Sequence, residues 1–229
     1  MKKITAVKSW EFDDKKFTIA YTYELPTTPV SSCKMTYHVY GNGLIKVELD
    51  YEKVEGLSQI PEFGVIMKLS ADYDRVTWYG LGPDENYCDR NRGAKLGIYS
   101  NKVVDNVSGY VNPQECGNKT GVRYAKVTDV YNHGMLFTCN HGGKKTKPSE
   151  ELQEAGSKLP MEFSALPYTP HELENAMHVY ELPPIHHTVV KASLMQMGIA
   201  GDDSWGARPH EEHIIENQDL HFEFSFIGV

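Results

Sequence analysis

The chain has 229 residues, 40% of them hydrophobic and 24% charged, which fits a globular protein able to bury its own core and excludes a disordered chain. A formal net charge of −8 argues against a nucleic-acid partner, which needs a concentrated positive surface. The longest apolar runs fall far short of the roughly 20 residues that cross a bilayer, so no membrane association is expected. Met1-Lys2-Lys3-Ile4 has the charge of a signal-peptide start but no apolar stretch behind it, and a cytoplasmic location is expected.

Taken in chain order, the prevailing period is two, the period of a half-buried strand. Residues Phe17 to Tyr23 alternate long apolar side chains with small or polar ones, and Met35 to Tyr40 do the same. Gly41-Asn42-Gly43 then supplies a tight hairpin turn, and Leu44 to Tyr51 returns with Ile45, Val47, Leu49 and Tyr51 on one face. Val65 to Leu69 and Arg75 to Tyr79 predict further strands, the second ending at Gly80-Leu81-Gly82-Pro83, which reads as a rigid turn. That stretch lacks the third glycine and the following helix of a dinucleotide site. Residues 80–120 are dense in Gly, Asn, Asp and Pro and predict a long irregular stretch, a feature that is usually functional or interfacial. Strands are predicted again at Val122 to Val130 and Met135 to Thr138, whereas Gly142 to Ser157 is polar and expected to be mobile. The basic residues Lys144, Lys145 and Lys147 lie there beside Glu150 and Glu151, as in a solvated loop.

One helix is predicted, at Thr169 to Ala176, with a capping threonine, proline at the first helical position and acidic residues in the first turn. His187 to Leu194 and Leu220 to Ile227 complete the strands, the last with Leu220, Phe222, Phe224 and Phe226 on one face. Many short antiparallel strands with no convincing linker predict an all-β fold in one domain over residues 1–229, a large sandwich of two twisted sheets. Four widely spaced cysteines, Cys33, Cys88, Cys116 and Cys139, read as small hydrophobes and not as a disulfide framework. Of the ten histidines, His186 and His187 point to opposite faces of a strand, and His210 and His213 flank Glu211 and Glu212 as an adventitious metal site at most. No metal or cofactor is expected in this chain.

Two stretches are more specific than pattern: Trp78-Tyr79-Gly80-Leu81-Gly82-Pro83-Asp84-Glu85-Asn86-Tyr87-Cys88-Asp89-Arg90, and Met197-Gly198-Ile199-Ala200-Gly201-Asp202-Asp203-Ser204-Trp205-Gly206. Between them run Tyr110 to Glu115, Gly121-Val122-Arg123 and Phe163 to Thr169, in that order. Together they resemble the C-terminal domain, or small subunit, of glycoside hydrolase family 2 β-galactosidases. The resemblance covers most of the chain and is weakest over 140–159. It implies a large antiparallel sandwich of the galactose mutarotase-like type. It also implies that the catalytic glutamates lie on a separate TIM barrel, present in the same chain or as a large subunit. Any Mg or Na would belong to that absent part, and the complete enzyme is expected to be an oligomer acting on β-galactosides such as lactose. In the family one tryptophan of this domain reaches the active site, and it carries over to Trp205.

The physical case for Trp205 is that an indole offers a flat, electron-rich face to the C–H face of a sugar, here on a turn between glycines. Asp202 and Asp203 read as turn-forming carboxylates that, with Ser204, support this loop, and neither reads as catalytic. Glu85, Asn86, Tyr87, Asp89 and Arg90 form a polar cluster in which an acid–arginine pair would pin the loop. Hydrolysis needs two carboxyl groups flanking the glycosidic bond, and no segment resembles the barrel that would carry them. Two other readings stand beside the accessory one: an aldose epimerase using His171 or His178 with a glutamate, and a purely structural subunit. An exposed hydrophobic patch is expected, since the chain must dock to the rest of an enzyme. Natural small subunit or terminal domain, and the preferred galactoside, are left open.

Overall fold

The computed structural model describes residues 10–13, 16–144 and 160–229. Thirteen strands are β1 Trp10–Asp13, β2 Lys16–Leu25, β3 Ser31–Tyr40, β4 Ile45–Tyr51, β5 Glu62–Ser70, β6 Arg75–Gly82, β7 Lys95–Lys102, β8 Lys119–Val122, β9 Tyr124–Thr128, β10 Gly134–Lys144, β11 Met161–Leu166, β12 His187–Gln196 and β13 Leu220–Gly228. A short helix, α1, covers Pro170–Asn175. Nine strands form one sheet in the order β1-β2-β3-β4-β13-β10-β9-β6-β7, and four form a second in the order β5-β12-β11-β8. Every pairing is antiparallel, so the fold is an all-β sandwich.

The alternation read from sequence places the core. Val47, Leu49 and Tyr51 of β4 and Leu220, Phe222 and Phe224 of β13 are buried on the inner face of the large sheet, with Trp78, Val127 and Phe137. They meet Val65, Met161, Phe163, Val190 and Ala192 of the small sheet, and the Phe137 and Phe163 rings touch across the interface at 5.5 Å. The outer face of the large sheet is polar at its centre. A ladder of charge crosses β3, β4 and β13 there: His38 to Glu48 at 3.1 Å, Glu48 to Lys46 at 2.8 Å, Lys46 to Glu223 at 2.9 Å, and His221 to both Glu223 and Asp50. Burial alone would raise Glu223, but bonds from His221 and Lys46 hold it down at about 2.

Several expectations are revised. Within the supposedly irregular 80–120 stretch, Lys95–Lys102 is the edge strand β7. Gly80-Leu81-Gly82 is not a turn but continues β6. A Cβ on Gly82 would lie 2.7 Å from the Tyr99 ring, which packs on Trp78 at 5.5 Å, so close packing across β6 and β7 is what requires glycine. The strand expected at 122–130 is two strands in different sheets, β8 and β9, separated by Arg123. Gly142 to Lys144 end β10, and the rest of the polar 142–157 stretch lies outside the described residues.

The small sheet is buried on both faces around β11, all six of whose residues are buried. Its second face is covered by a layer of loops from 83–93, 103–118 and 168–186. Cys116, Leu166 and Leu173 form a satellite core there with Val107, Tyr110, Tyr168 and Leu182 packed against it. Helix α1 starts as its sequence predicts, with a reciprocal capping box between Thr169 and Glu172. Truncating Phe163 to Ala should lower the unfolding free energy by about 3–5 kcal/mol. Ile98→Ala, at 65% exposure on β7, should cost well under half of that, and urea unfolding of the two variants checks the contrast.

Candidate functional site

Chain leaving β12 at Gln196 does not re-enter a strand until Leu220, and the first part of this connection carries Trp205. The loop is fixed at its base. Met197 N–H donates to Pro61 O at 2.9 Å and Gly198 N–H to His213 O at 2.7 Å. Asp89 Oδ2 accepts from Ala200 N–H at 2.7 Å, and a Cβ on Gly198 would lie 2.5 Å from that same oxygen, so only glycine admits the bond. Asp89 belongs to the first of the two specific sequence stretches and Ala200 to the second. The two motifs, more than a hundred residues apart, are one structural unit.

Further along, a Cβ on Gly201 would lie 2.1 Å from Ala207 O, which means that the two limbs of the turn touch. Asp203 Oδ1 closes the turn by accepting from Trp205 N–H at 2.8 Å and Ala207 N–H at 3.1 Å, and these bonds lower its pKa. Gly206 sits at φ +112°, a backbone conformation that favours glycine. Asp202 Oδ1 bonds His210 Nε2 at 2.8 Å and raises that histidine's pKa, while Arg208 donates to Gln59 Oε1. Ser204 is exposed on the same turn. Trp205 itself is 91% exposed, against 1% for Trp78 in the core.

The Glu85–Arg90 stretch that contains Asp89 is itself held by a network of bonds. Glu85 accepts from Ser108 Oγ at 2.5 Å, Tyr110 OH at 2.5 Å, Gly117 N–H at 2.8 Å and Arg90 Nη2 at 2.7 Å. Burial would raise its pKa, and those bonds overcome burial and lower it. Asn86 is buried, with Oδ1 accepting from both N–H and Oγ of Thr120, at 2.9 and 2.6 Å, and Nδ2 donating to Leu81 O and Asp84 O. Tyr87 O–H donates to Glu115 Oε1 at 3.3 Å.

Sequence reasoning missed a polar network on the loop-covered face of the small sheet. Lys191 Nζ donates to Glu115 Oε1 and Oε2, both at 3.0 Å, and to Glu62 Oε2 at 3.2 Å. Ser193 Oγ donates to Glu62 Oε1 at 2.6 Å. Beside it Glu162 accepts from Asn118 Nδ2 at 2.6 Å, and burial pushes its carboxyl up to about 7. Burial pushes the Lys119 ammonium down to about 8, with its Nζ over the Trp78 ring at 5.1 Å. The only available signal was the presence of Glu162 and Lys191 inside otherwise apolar runs. The histidines are not assembled into a centre: among the described residues no three His, Cys, Asp or Glu side chains converge as metal donors. His178 lies 3.4 Å from Glu181 on an exposed 3-10 turn and stacks on Tyr180, and His171 is exposed on α1.

Because the folded state holds Glu162's proton until about pH 7, the fold loses stability as pH climbs from about 4.5 to about 7 and leaves a buried carboxylate. Glu162→Gln should therefore match the parent below pH 4.5 and exceed it by roughly 2–3 kcal/mol at pH 8, as measured by urea unfolding across pH.

The β-galactosidase of Halalkalibacterium halodurans is 40% identical over 211 residues, covering 90% of this chain and 19% of that protein. The β-galactosidase of Streptococcus thermophilus is 34% identical over 217 residues, covering 95% of this chain and 19% of that protein. A β-galactosidase small subunit from Latilactobacillus sakei is 33% identical over 211 residues, covering 92% of this chain and 64% of that subunit. The chain thus spans about a fifth of the length of the first two relatives. The family model described as β-galactosidase small chain matches residues 2–227, and the chain belongs to that family.

Proposed function

We propose that this chain is the non-hydrolysing component of a β-galactosidase, lending Trp205 to an active site whose catalytic carboxylates lie on a TIM-barrel partner, in the same chain or as a large subunit. The observation that carries the reading is Trp205 itself: an indole 91% exposed, on a turn whose backbone is fixed by Asp203 and whose base is tied to Asp89. Such placement leaves the ring face free for the C–H face of a sugar while removing most of the entropy that a floppy loop would lose on binding. Asp202, Asp203 and Ser204 are positioning residues of this turn.

Other features support the division of labour. The carboxylates fixed in and around the motifs are engaged structurally: Glu85 accepts four hydrogen bonds, Glu62 and Glu115 hold Lys191, and Asp89 and Asp203 accept from backbone. Exposed Val111, Met177, Val179 and Tyr180 belong to the loop layer, next to a groove lined by Asn112, Pro113, Pro170 and Met177. An apolar surface of this kind suits a chain that docks to a larger body.

The purified chain should leave a chromogenic β-galactoside intact and should restore turnover when mixed with its catalytic chain; turnover by the chain alone sinks the reading. In the reconstituted enzyme Trp205→Ala should lower kcat/KM about 10-fold, mostly through KM, which is about 1.4 kcal/mol of sugar contact. Asp203→Ala should produce a similar loss without shifting the melting temperature, whereas Asp203→Asn, which retains the accepting oxygen, should recover most of it.

A further inference from the structure

A groove of about 680 Å³ lies near the base of the Trp205 loop, between the start of β11, the end of β12 and residues 211–218. Its floor is apolar, built from Leu81, Met161, Leu194, Met195, Ile214 and Ile215. Its charged lining is almost all of one sign: Glu162 within, and Glu211, Glu212 and Glu216 exposed along the rim. Gln196 also lines it. That side chain is 7% exposed, and its Oε1 is buried without a hydrogen-bond partner, a state that costs free energy until a donor arrives. The nearby Lys191 ammonium is already committed to Glu62 and Glu115.

We propose that this groove receives a lysine or arginine side chain from the catalytic partner, its methylenes lying along the apolar floor and its charged head donating to Gln196 Oε1 and Glu162. A slot with apolar walls, a carboxyl group within and carboxylates along its rim matches a long amphipathic cation better than it matches a compact ion. The partner is the source because the groove and the Trp205 loop are one body: Gly198 N–H donates to His213 O at 2.7 Å, and Asp89 holds Ala200. Whatever brings a sugar to Trp205 also covers the groove, so this inference rests on the reading of the chain as an accessory component. The net charge of −8 adds complementarity to a basic protrusion. Burial disfavours an ionised Glu162, and a cation seated against it relieves that penalty.

Two measurements test this. n-Butylguanidinium titrated into the isotopically labelled chain should shift the Gln196 side-chain amide and the Met161 and Met195 methyl signals saturably. The shifts should be absent in Glu162→Gln and with sodium chloride at matched ionic strength. Absence of a saturable shift in the parent overturns the slot. In the second, Glu162→Gln and the double variant Glu211→Gln/Glu212→Gln should each weaken association with the catalytic chain about 10-fold, with kcat at saturating chain and the unfolding midpoint not reduced. Undiminished association overturns the proposal while leaving the accessory reading intact. Failure of the parent chains to associate overturns both.

Discussion

Lys191 is 2% exposed in the middle of β12, and an ammonium at that depth is tolerated only where anions and acceptors reach it. β12 has sheet neighbours on both sides, and Glu62 on β5 supplies one anion from within the sheet. The other, Glu115, comes from an irregular loop laid across the sheet's second face. Glu162 imposes a similar demand, met by Asn118 from the same loop. Loops bound in this way cannot wander, and neither can what they hold in turn: Asn118 is bonded to Asn86, three residues before Asp89, and Asp89 holds Ala200. A buried charge in a four-stranded sheet thus fixes, through two layers of hydrogen bonds, the base of the turn that exposes Trp205.

That dependence explains which parts of the fold were legible in the sequence. β4 and β13 bury one face, so their alternation is clean and their inward residues could be named in advance. β11 alternates apolar Met161, Phe163 and Ala165 with polar Glu162 and Ser164, the pattern of a half-exposed strand, so nothing in it announces that the polar face is buried too. β7 hid because its Leu96, Ile98 and Gly97 serve an edge strand and the Tyr99 ring, in a stretch whose composition otherwise looks like loop. The turn role of Asp203 follows from a short-range rule that sequence expresses directly. The bond from Asp89 to Ala200, and the orphaned oxygen of Gln196, depend on segments that only the folded chain brings together, and no local pattern announces them.

Family membership and physical layout describe a protein whose fold is closed and whose surface is not. The core closes, the helix is capped and the Lys191 ammonium is paired, yet a tryptophan stands almost wholly in solvent and several large apolar side chains of the loop layer do as well. In a protein that worked alone these would be liabilities. For the accessory component proposed above, they would be surfaces on which a partner docks.

β13 follows the other described strands, yet it lies in the interior of the nine-stranded sheet, bonded to β4 on one side and β10 on the other. Before it arrives, the sheet consists of two separate blocks, β1 to β4 and β10-β9-β6-β7, each presenting an unpaired inner edge. A ribosome releases residues from the amino end first, so those edges stay open until synthesis has passed Gly228. Any helper that shields nascent sheet edges, and any deletion of β13, would act on this keystone and not on a peripheral strand.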